Sequence, residues 1–312
     1  MTATAGRDRP SGTTARTVAQ AKVNLFLRVL AREADGYHQL ETLFCRLALG
    51  DDVTVRVGVG GRSLECTGEA LPAEGLGPVE RNLAWRAAAR YAEATGWPND
   101  WAIGIVKRIP VGGGLGGGSA DAGAVLRCLN RLAPSPVSDG ELVALAEPLG
   151  ADVPFLTAGD ALALGWGRGE RLLALPPLPD RAVTLVCFPF GVPTPDAYRW
   201  LDARASVTPR QAARVGLEAL ATWAGIARLA HNDFEAVVAP RYPEIERALR
   251  ELRSRAAHGD DAAAIAMLAG SGSTVFAVSD MPAETMTAPH GSSARLVHTY
   301  TASRVVAVEV SD

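Results

Sequence analysis

The sequence predicts an α+β fold in two lobes, built from mixed or antiparallel sheets with helices laid on one face. Three observations carry this. Stretches of alternating apolar residues, such as Val23, Leu25, Leu27 and Val29, mark strands along the chain. Between them lie stretches with a helical apolar period, such as 82–96 and 243–257. A proline-rich segment, "PPLPD" at 176–180, breaks the pattern and divides the chain. The expected organisation is a disordered, small and polar tail over 1–16, one domain over 17–178 and a second over 179–312.

The first strand is expected over 17–32, followed by a turn at Ala34, Asp35 and Gly36. Strands follow over 41–49 and 51–57, joined at Gly50 and Asp51, and a short one over 63–68. After a loop rich in Gly and Pro, a helix over 82–96 stops at Gly96, with Pro98 beyond it. The alternating segment 101–109 ends at Pro110, just ahead of a run of glycines. A helix over 119–132 follows, with Ala122, Leu126 and Leu129 on one face and Ser119 or Asp121 as its cap. A second helix over 139–150 leads into "ADVPFL", and 161–175 reads as a hairpin. In the second part, 182–188 is a strand and 243–257 a strongly amphipathic helix, while 264–280 holds an element, a Gly/Ser turn and a buried strand. The end, 302–312, alternates as an edge strand.

Hydrophobic residues make up 48% of the 312 residues, enough for a sizeable core, and a net charge of −3 gives no footprint for nucleic acid or a membrane surface. No apolar stretch reaches a membrane span, and the start lacks the apolar core of a signal peptide. Four dispersed cysteines without a C-x-x-C, and five histidines without a ligand spacing, argue against zinc and for the cytoplasm. Of the 31 basic residues only two, Lys22 and Lys107, are lysine. A compact ammonium does what a planar guanidinium cannot, so both positions are candidates for a specific task.

The stretch "IPVGGGLGGGSADAG" at 109–123 holds six glycines between Gly112 and Gly118. A Walker A loop is excluded because Gly118 stands where that motif needs lysine. Gly112, Gly114 and Gly117 match a dinucleotide fingerprint literally, but the acidic partner it needs about 20 residues on is replaced by "APSPVSDGE". The protein-kinase motifs H-R-D and D-F-G are absent. What is left is a phosphate nest: unhindered N–H groups opening into a helix N-terminus, with Lys107 a few residues upstream. A plain flexible turn would not need six glycines ahead of a well-patterned helix.

In the form "RIPVGGGLGGGSADAG", these residues resemble the phosphate loop of the GHMP kinases, small-molecule kinases unrelated to P-loop enzymes. Three further blocks, "AKVNLFLRVLAREADGYHQLETLF", "LGADVPF" and "LAGSGSTVFAV", are similar to the branch that phosphorylates a cytidine diphosphate-linked polyol in isoprenoid precursor synthesis. The resemblance runs from Ala21 to Val278. It implies a two-lobed GHMP kinase fold with the active site between the lobes, with ATP and Mg²⁺ as cofactors. The implied partners are ATP and the small-molecule cytidine diphosphate substrate, with no nucleic acid and no membrane; a monomer or weak homodimer is expected.

On the matching residues, the resemblance implies Asp152 as the base that takes the proton of the substrate's 2-hydroxyl and Lys22 as the ammonium that keeps it ionised. ATP is expected against Pro110, Val111, Gly112, Gly113, Gly114, Leu115, Gly116, Gly117, Gly118, Ser119 and Ala120, with Lys107 flanking the nucleotide and Asn82 near the adenine. Asn82 reads equally as the cap of the helix behind it. Asn24 is expected to bind the substrate hydroxyl, and Tyr37, His38 and Tyr198 to meet the cytosine, with Phe190 competing for the place of Tyr198. "GSGS" at 270–273 corresponds to a loop facing the site from the second lobe, and "HNDFE" at 231–235 is given no chemistry. No carboxylate cluster identifies metal ligands. The competing readings are another GHMP kinase of homoserine or mevalonate type, a related decarboxylase, and a non-catalytic nucleotide-binding module of the same fold.

Overall fold

The computed structural model describes residues 12–205, 215–258, 261, 264–280 and 293–311. Of the expected tail, residues 1–11 lie outside the described residues. Thr14, Ala15 and Arg16 already pair as strand with the last strand of the chain, so the sheet begins earlier than the apolar pattern indicated.

Strands β1 (Thr14–Arg32) and β2 (His38–Arg56) form a long antiparallel hairpin. Next come β3 (Arg62–Thr67), helix α1 (Leu83–Thr95) and β4 (Trp101–Val106). Helices α2 (Gly117–Leu132), α3 (Asp139–Ala146) and α4 (Val153–Thr157) precede the hairpin β5 (Leu162–Gly167) and β6 (Arg171–Ala174). The second lobe opens with β7 (Ala182–Cys187) and helices α5 (Thr194–Ala205), α6 (Leu217–Leu220), α7 (Trp223–Leu229), α8 (Glu235–Val238) and α9 (Pro243–His258). It continues with β8 (Ile265–Leu268), β9 (Val275–Ser279) and β10 (Arg295–Tyr300), before β11 (Glu309–Ser311).

The first sheet runs β11-β1-β2-β4-β3, with β5 on β2 and β6 on β5; β3 is parallel to β4 and the other pairs are antiparallel. The second sheet runs β10-β7-β9-β8, antiparallel throughout. This is the mixed α+β architecture that the sequence predicts. β11 returns the end of the chain to the first sheet, across the boundary expected after residue 178.

β1 is buried on both faces. Ala21, Val23 and Leu25 enter the core, while the alternate residues Gln20, Lys22 and Asn24 are only 2%, 3% and 2% exposed. Register shifts between Gln20 and Lys22 and between Asn24 and Phe26 bracket the last two polar side chains; bulges of this kind re-aim residues beside functional sites. β2 is one strand where two were expected, because Gly50 is a close approach rather than a turn: a Cβ there would strike the Val18 side chain and lie 2.9 Å from the Ala19 carbonyl oxygen. β2 changes partner along its length, from β5 at Leu40–Cys45 to β4 at Asp52–Arg56.

α1 has its expected limits: the Asn82 side chain accepts the Ala84 N–H at 2.9 Å, and Gly96 ends the helix at φ 72°. α2 starts two residues earlier than expected, with Gly116 as N-cap at φ 72°, and neither Ser119 nor Asp121 caps it. The helix expected over 139–150 stops at Ala146 and gives way to a 3-10 turn at Glu147–Leu149, where Pro148 removes a backbone donor. The edge strand expected over 302–312 shrinks to Glu309–Ser311, and α5 and β10 had no counterpart in the sequence reading.

α2 packs tightly on α4 through Gly123, whose Cβ would lie 2.6 Å from the Leu156 carbonyl. Gly123→Ala is therefore expected to destabilise the fold by ~1–3 kcal/mol, since backbone must move to admit a methyl group. Gly140→Ala, in open space on α3, should be neutral or gain up to about 1 kcal/mol. Urea denaturation of both variants against the wild type checks the contrast.

Candidate active site

A cavity of about 450 Å³ opens between the lobes, lined by the glycine loop and by Lys22, Asn24, Asp152, Tyr198, Gly270 and Ser271. β1 delivers Lys22 to its floor. The ammonium donates to Asn24 Oδ1 at 2.9 Å and lies 3.1 Å from Asp152 Oδ2. Asn24 Nδ2 in turn donates to Thr42 Oγ1 at 2.7 Å, and Thr42 Oγ1 donates to the Phe26 carbonyl at 2.8 Å. Both ends of the Asn24 amide are engaged, so it holds the Lys22 ammonium in place while lining the cavity.

Asp152 stands ahead of α4, but its side chain caps nothing. It turns to Lys22 and keeps 30% of its surface open to the cavity, a carboxylate held ready rather than consumed in the fold. The far end of α4 is tied down by Arg46, which the sequence did not single out. Its guanidinium is buried, donating to the carbonyls of Phe155 and Ala158 at 2.8 Å and of Asp160 at 2.9 Å, and it lies 4.9 Å over the Phe155 ring. Burial pulls its pKa down to about 9. One arginine among 29 has no sequence signal for such a role; only the fold puts it under α4.

The glycine loop adopts left-handed geometry at every second residue, Gly112, Gly114 and Gly116, at φ 77°, 81° and 72°. That alternation turns successive N–H groups to one side, the geometry of an anion nest. The glycines also serve packing. A Cβ on Gly114 would strike the Ala269 carbonyl, and one on Gly113 would strike Thr274, so the loop lies directly on the "GSGS" loop of the second lobe. The Thr274 N–H donates to the Gly113 carbonyl at 3.2 Å across the same contact. Behind "GSGS", Asn232 of the "HNDFE" segment donates to the carbonyls of Leu268 and Gly270 at 2.9 and 2.8 Å. The same segment pairs with β1, the Leu27 N–H donating to the His231 carbonyl at 2.7 Å.

Pro110, Val111, Leu115, Gly118 and Ser119 line the cavity with the glycines, as expected. Ala120 does not: it is buried in the core and its N–H is spent on the Gly116 carbonyl at 2.8 Å, inside α2. Asn82 caps α1, one of the two readings given for it, and also lines the cavity.

Lys107 lies beside the nest, where it was expected, with its charge already committed. It lines the cavity under Gly117, but its ammonium is buried between two carboxylates, Asp51 and Asp121 at 2.6 Å, and is not a free cation for phosphate. Asp51 also accepts the N–H groups of Arg108 and Ile109 at 2.5 and 2.8 Å. Burial works against the Lys107 charge, yet Asp121 and Asp51 hold its pKa above the ordinary lysine value. Burial, with the like charge of Asp51 added, pushes Asp121 up to about 7 in spite of Lys107. The cluster fastens the start of α2 to β2 and β4 behind the nest.

A second cavity of about 940 Å³ adjoins the first, the two sharing Leu40, Ala151, Thr194 and Tyr198. Its rings are Tyr37, His38 and Tyr198. His38 stacks on Tyr198 at 4.4 Å and 17°, and its Nε2 pairs with Asp202 Oδ1 at 2.7 Å. Tyr37 is 60% exposed, so the face of Tyr198 is met by His38 and not by Tyr37. Phe190 is settled by packing: it stacks on Phe188 and Tyr242 at 5.3 Å each, away from both cavities. α5, absent from the sequence reading, is the element that presents Tyr198 and Asp202.

Two lobes, a phosphate nest with no lysine inside it and an ammonium–carboxylate pair at its edge define a small-molecule kinase of the GHMP type. The family model "GHMP kinases N terminal domain" matches residues 82–160. The chain is 41% identical to the 4-diphosphocytidyl-2-C-methyl-D-erythritol kinase of Moorella thermoacetica over 264 residues, 83% of this chain and 88% of that one. It is 42% identical to the enzyme of the same name from Mycolicibacterium gilvum, over 81% of this chain and 78% of that one. A crystal structure of 4-(cytidine 5'-diphospho)-2C-methyl-D-erythritol kinase superposes with a TM-score of 0.68 at 34% identity, covering 92% and 98% of the two chains. The homoserine kinase of Cytophaga hutchinsonii shares the fold, with a TM-score of 0.64 at 16% identity. The chain belongs to the 4-diphosphocytidyl-2-C-methyl-D-erythritol kinase family.

The raised Asp121 pKa has a consequence for stability. An acid whose pKa is higher in the fold than in the unfolded chain loses stability as pH rises between the two values, here from 3.8 to about 7. Below that window the neutral acid favours the fold; above it the buried charge opposes it. Asp121→Asn, neutral at every pH, should therefore lose less stability between pH ~5 and ~8 than the wild type. Thermal unfolding across that range checks it.

Proposed function

We propose that the chain transfers the γ-phosphoryl group of ATP to the 2-hydroxyl of 4-diphosphocytidyl-2-C-methyl-D-erythritol. The observation that carries this is the Lys22–Asp152 pair, 3.1 Å apart, which lines the nest cavity where the aromatic cavity adjoins it. ATP belongs in the first cavity, its phosphates against the bare backbone of Gly112–Gly118 and the N-terminus of α2. The cytidylyl group belongs in the second, among Tyr37, His38 and Tyr198, which brings the polyol to Asp152.

The chemistry follows from that placement. Asp152 accepts the proton of the attacking hydroxyl as its oxygen bonds to the γ-phosphorus, and the bond to the β-phosphate oxygen breaks to release ADP. Lys22, held by Asn24, orients the Asp152 carboxylate and offsets the charge that develops on the transferring group. Little covalent chemistry falls to the protein; positioning and electrostatics do most of it.

Among the described residues no group of three or more His, Cys, Asp or Glu side chains could hold a metal. That fits a Mg²⁺ that arrives on the triphosphate, since this ion keeps several waters and needs only one or two protein carboxylates. When bound, the ion would neutralise charge on the phosphates, leaving the Asp152 carboxylate to Lys22 and the hydroxyl proton. A cytoplasmic monomer or weak homodimer suits two charged small-molecule substrates, and the four free cysteines suit a reducing compartment. Among the described residues no helix is long and apolar enough to cross a membrane.

Asp152→Asn should lower kcat by ~100-fold or more while leaving both KM values within about threefold, because general-base catalysis contributes on the order of 10²–10⁴. ADP release with the cytidylyl substrate, homoserine and mevalonate in parallel tests the base and the substrate together. Turnover of homoserine or mevalonate in preference to the cytidylyl compound would overturn the reading.

A further inference from the structure

An exposed ring is a poor stacking surface for a base, because it must give up rotamer freedom when the base arrives. Tyr37, 60% exposed, is nonetheless held. The guanidinium of Arg168, from the turn between β5 and β6, lies 4.2 Å over the centre of its ring. The Arg168 Nε donates to Glu33 Oε2 at 2.9 Å, and its Nη2 reaches both Glu33 and Asp35. The turn between them is closed on itself. The Glu33 N–H donates to the Tyr37 carbonyl at 2.6 Å, and the Tyr37 N–H donates to Asp35 Oδ1 at 3.1 Å. One planar group thus grips both carboxylates of the turn and covers one face of the ring that the turn presents.

Arg168 is itself anchored. Its N–H donates to Glu170 Oε2 at 2.6 Å, and Gly169, at φ 109°, sits so near Ala151 that a Cβ would lie 2.5 Å from that carbonyl oxygen. Ala151 is the residue before Asp152. The turn that carries Arg168 is therefore wedged against the catalytic loop at one end and against the aromatic turn at the other. Tyr37, Arg168 and Ala151 all line the second cavity.

We propose that Arg168 is a positioning residue for substrate recognition, holding the Tyr37 ring at the rim of the second cavity so that its other face stacks on the cytosine. This rests on assigning that cavity to the cytidylyl group. Arg168 ties the base-reading turn to the loop of Asp152, so the base and the reacting hydroxyl are located from one rigid unit. The ring's freedom is lost in folding instead of in binding, an effect on substrate affinity and not on the chemical step.

The test is steady-state kinetics of the full-length protein with the cytidylyl substrate and ATP. Arg168→Ala should raise the KM for the cytidylyl substrate ~3- to 10-fold, the cost of ordering one side chain on binding. kcat and the KM for ATP should stay within about twofold. Arg168→Lys should recover only part of the loss, because an ammonium supplies charge without a planar face. Tyr37→Ala should raise the same KM, and adding Arg168→Ala in that background should change nothing further. An equal effect of Arg168→Ala with and without Tyr37, or a matching rise in the KM for ATP, would overturn the proposal. Wild-type turnover of the cytidylyl substrate with no response to Arg168→Ala would remove this proposal alone. Absence of wild-type turnover would remove it together with the substrate assignment.

Discussion

Lys22 carries its charge at 3% exposure, and the organisation of the site follows from what that demands. A buried ammonium is tolerated only with partners that satisfy it. Here they are Asn24, two residues along the same strand, and Asp152, which the chain delivers 130 residues later. Lys22 and Asn24, two apart on β1, share one face of the strand, and β1 breaks register on either side of them. To hold Asn24, β2 supplies Thr42. To bring the nest beside the ammonium, the Lys22 N–H donates to the Leu115 carbonyl at 3.0 Å, while a Cβ on Gly116 would lie 3.1 Å from the Lys22 side chain. Strand, loop and α4 meet around one cation that must be neutralised.

The glycine run answers two demands at once. Its alternating left-handed residues turn N–H groups toward one face, and its missing Cβ atoms let the "GSGS" loop of the second lobe lie against it. The shape of the nest is thus set by both lobes, even though every glycine in it comes from the first. Asn232 extends the same logic, since its amide holds two carbonyls around "GSGS" while the backbone beside it pairs with β1. A segment with no chemistry of its own keeps the two halves of the cleft in register.

The two lysines share a rarity in the sequence and differ in physics. Lys22 faces one carboxylate that stays partly open to the cavity; Lys107 is closed in by two that do not. The first arrangement leaves a carboxylate open to the cavity, and the second locks α2 to the sheet behind the nest. Their local sequences do not distinguish these outcomes, because the deciding carboxylates, Asp152 for one and Asp51 with Asp121 for the other, come from other elements. Arg46 and Arg168 teach the same lesson from the opposite side. Each takes up a specific post, under α4 and over Tyr37, in a chain where arginine is too common to stand out.

By itself the sequence determined the elements and the family. Apolar periods, the glycine run and four spaced motif blocks act through local backbone geometry, which neighbouring residues largely control. Most strands, α1, α9 and the glycine nest were therefore legible before any coordinates, while the Lys22–Asp152 pairing was legible only through resemblance to a known family. Only the tertiary structure decided that Lys107 is spent on Asp51 and Asp121, that Ala120 is core, and that Tyr198 and not Phe190 faces the cavity. It alone brought Arg168, Asp202 and Arg46 to their places. These outcomes depend on which way a side chain turns and what meets it from more than a hundred residues away, and that is set by packing.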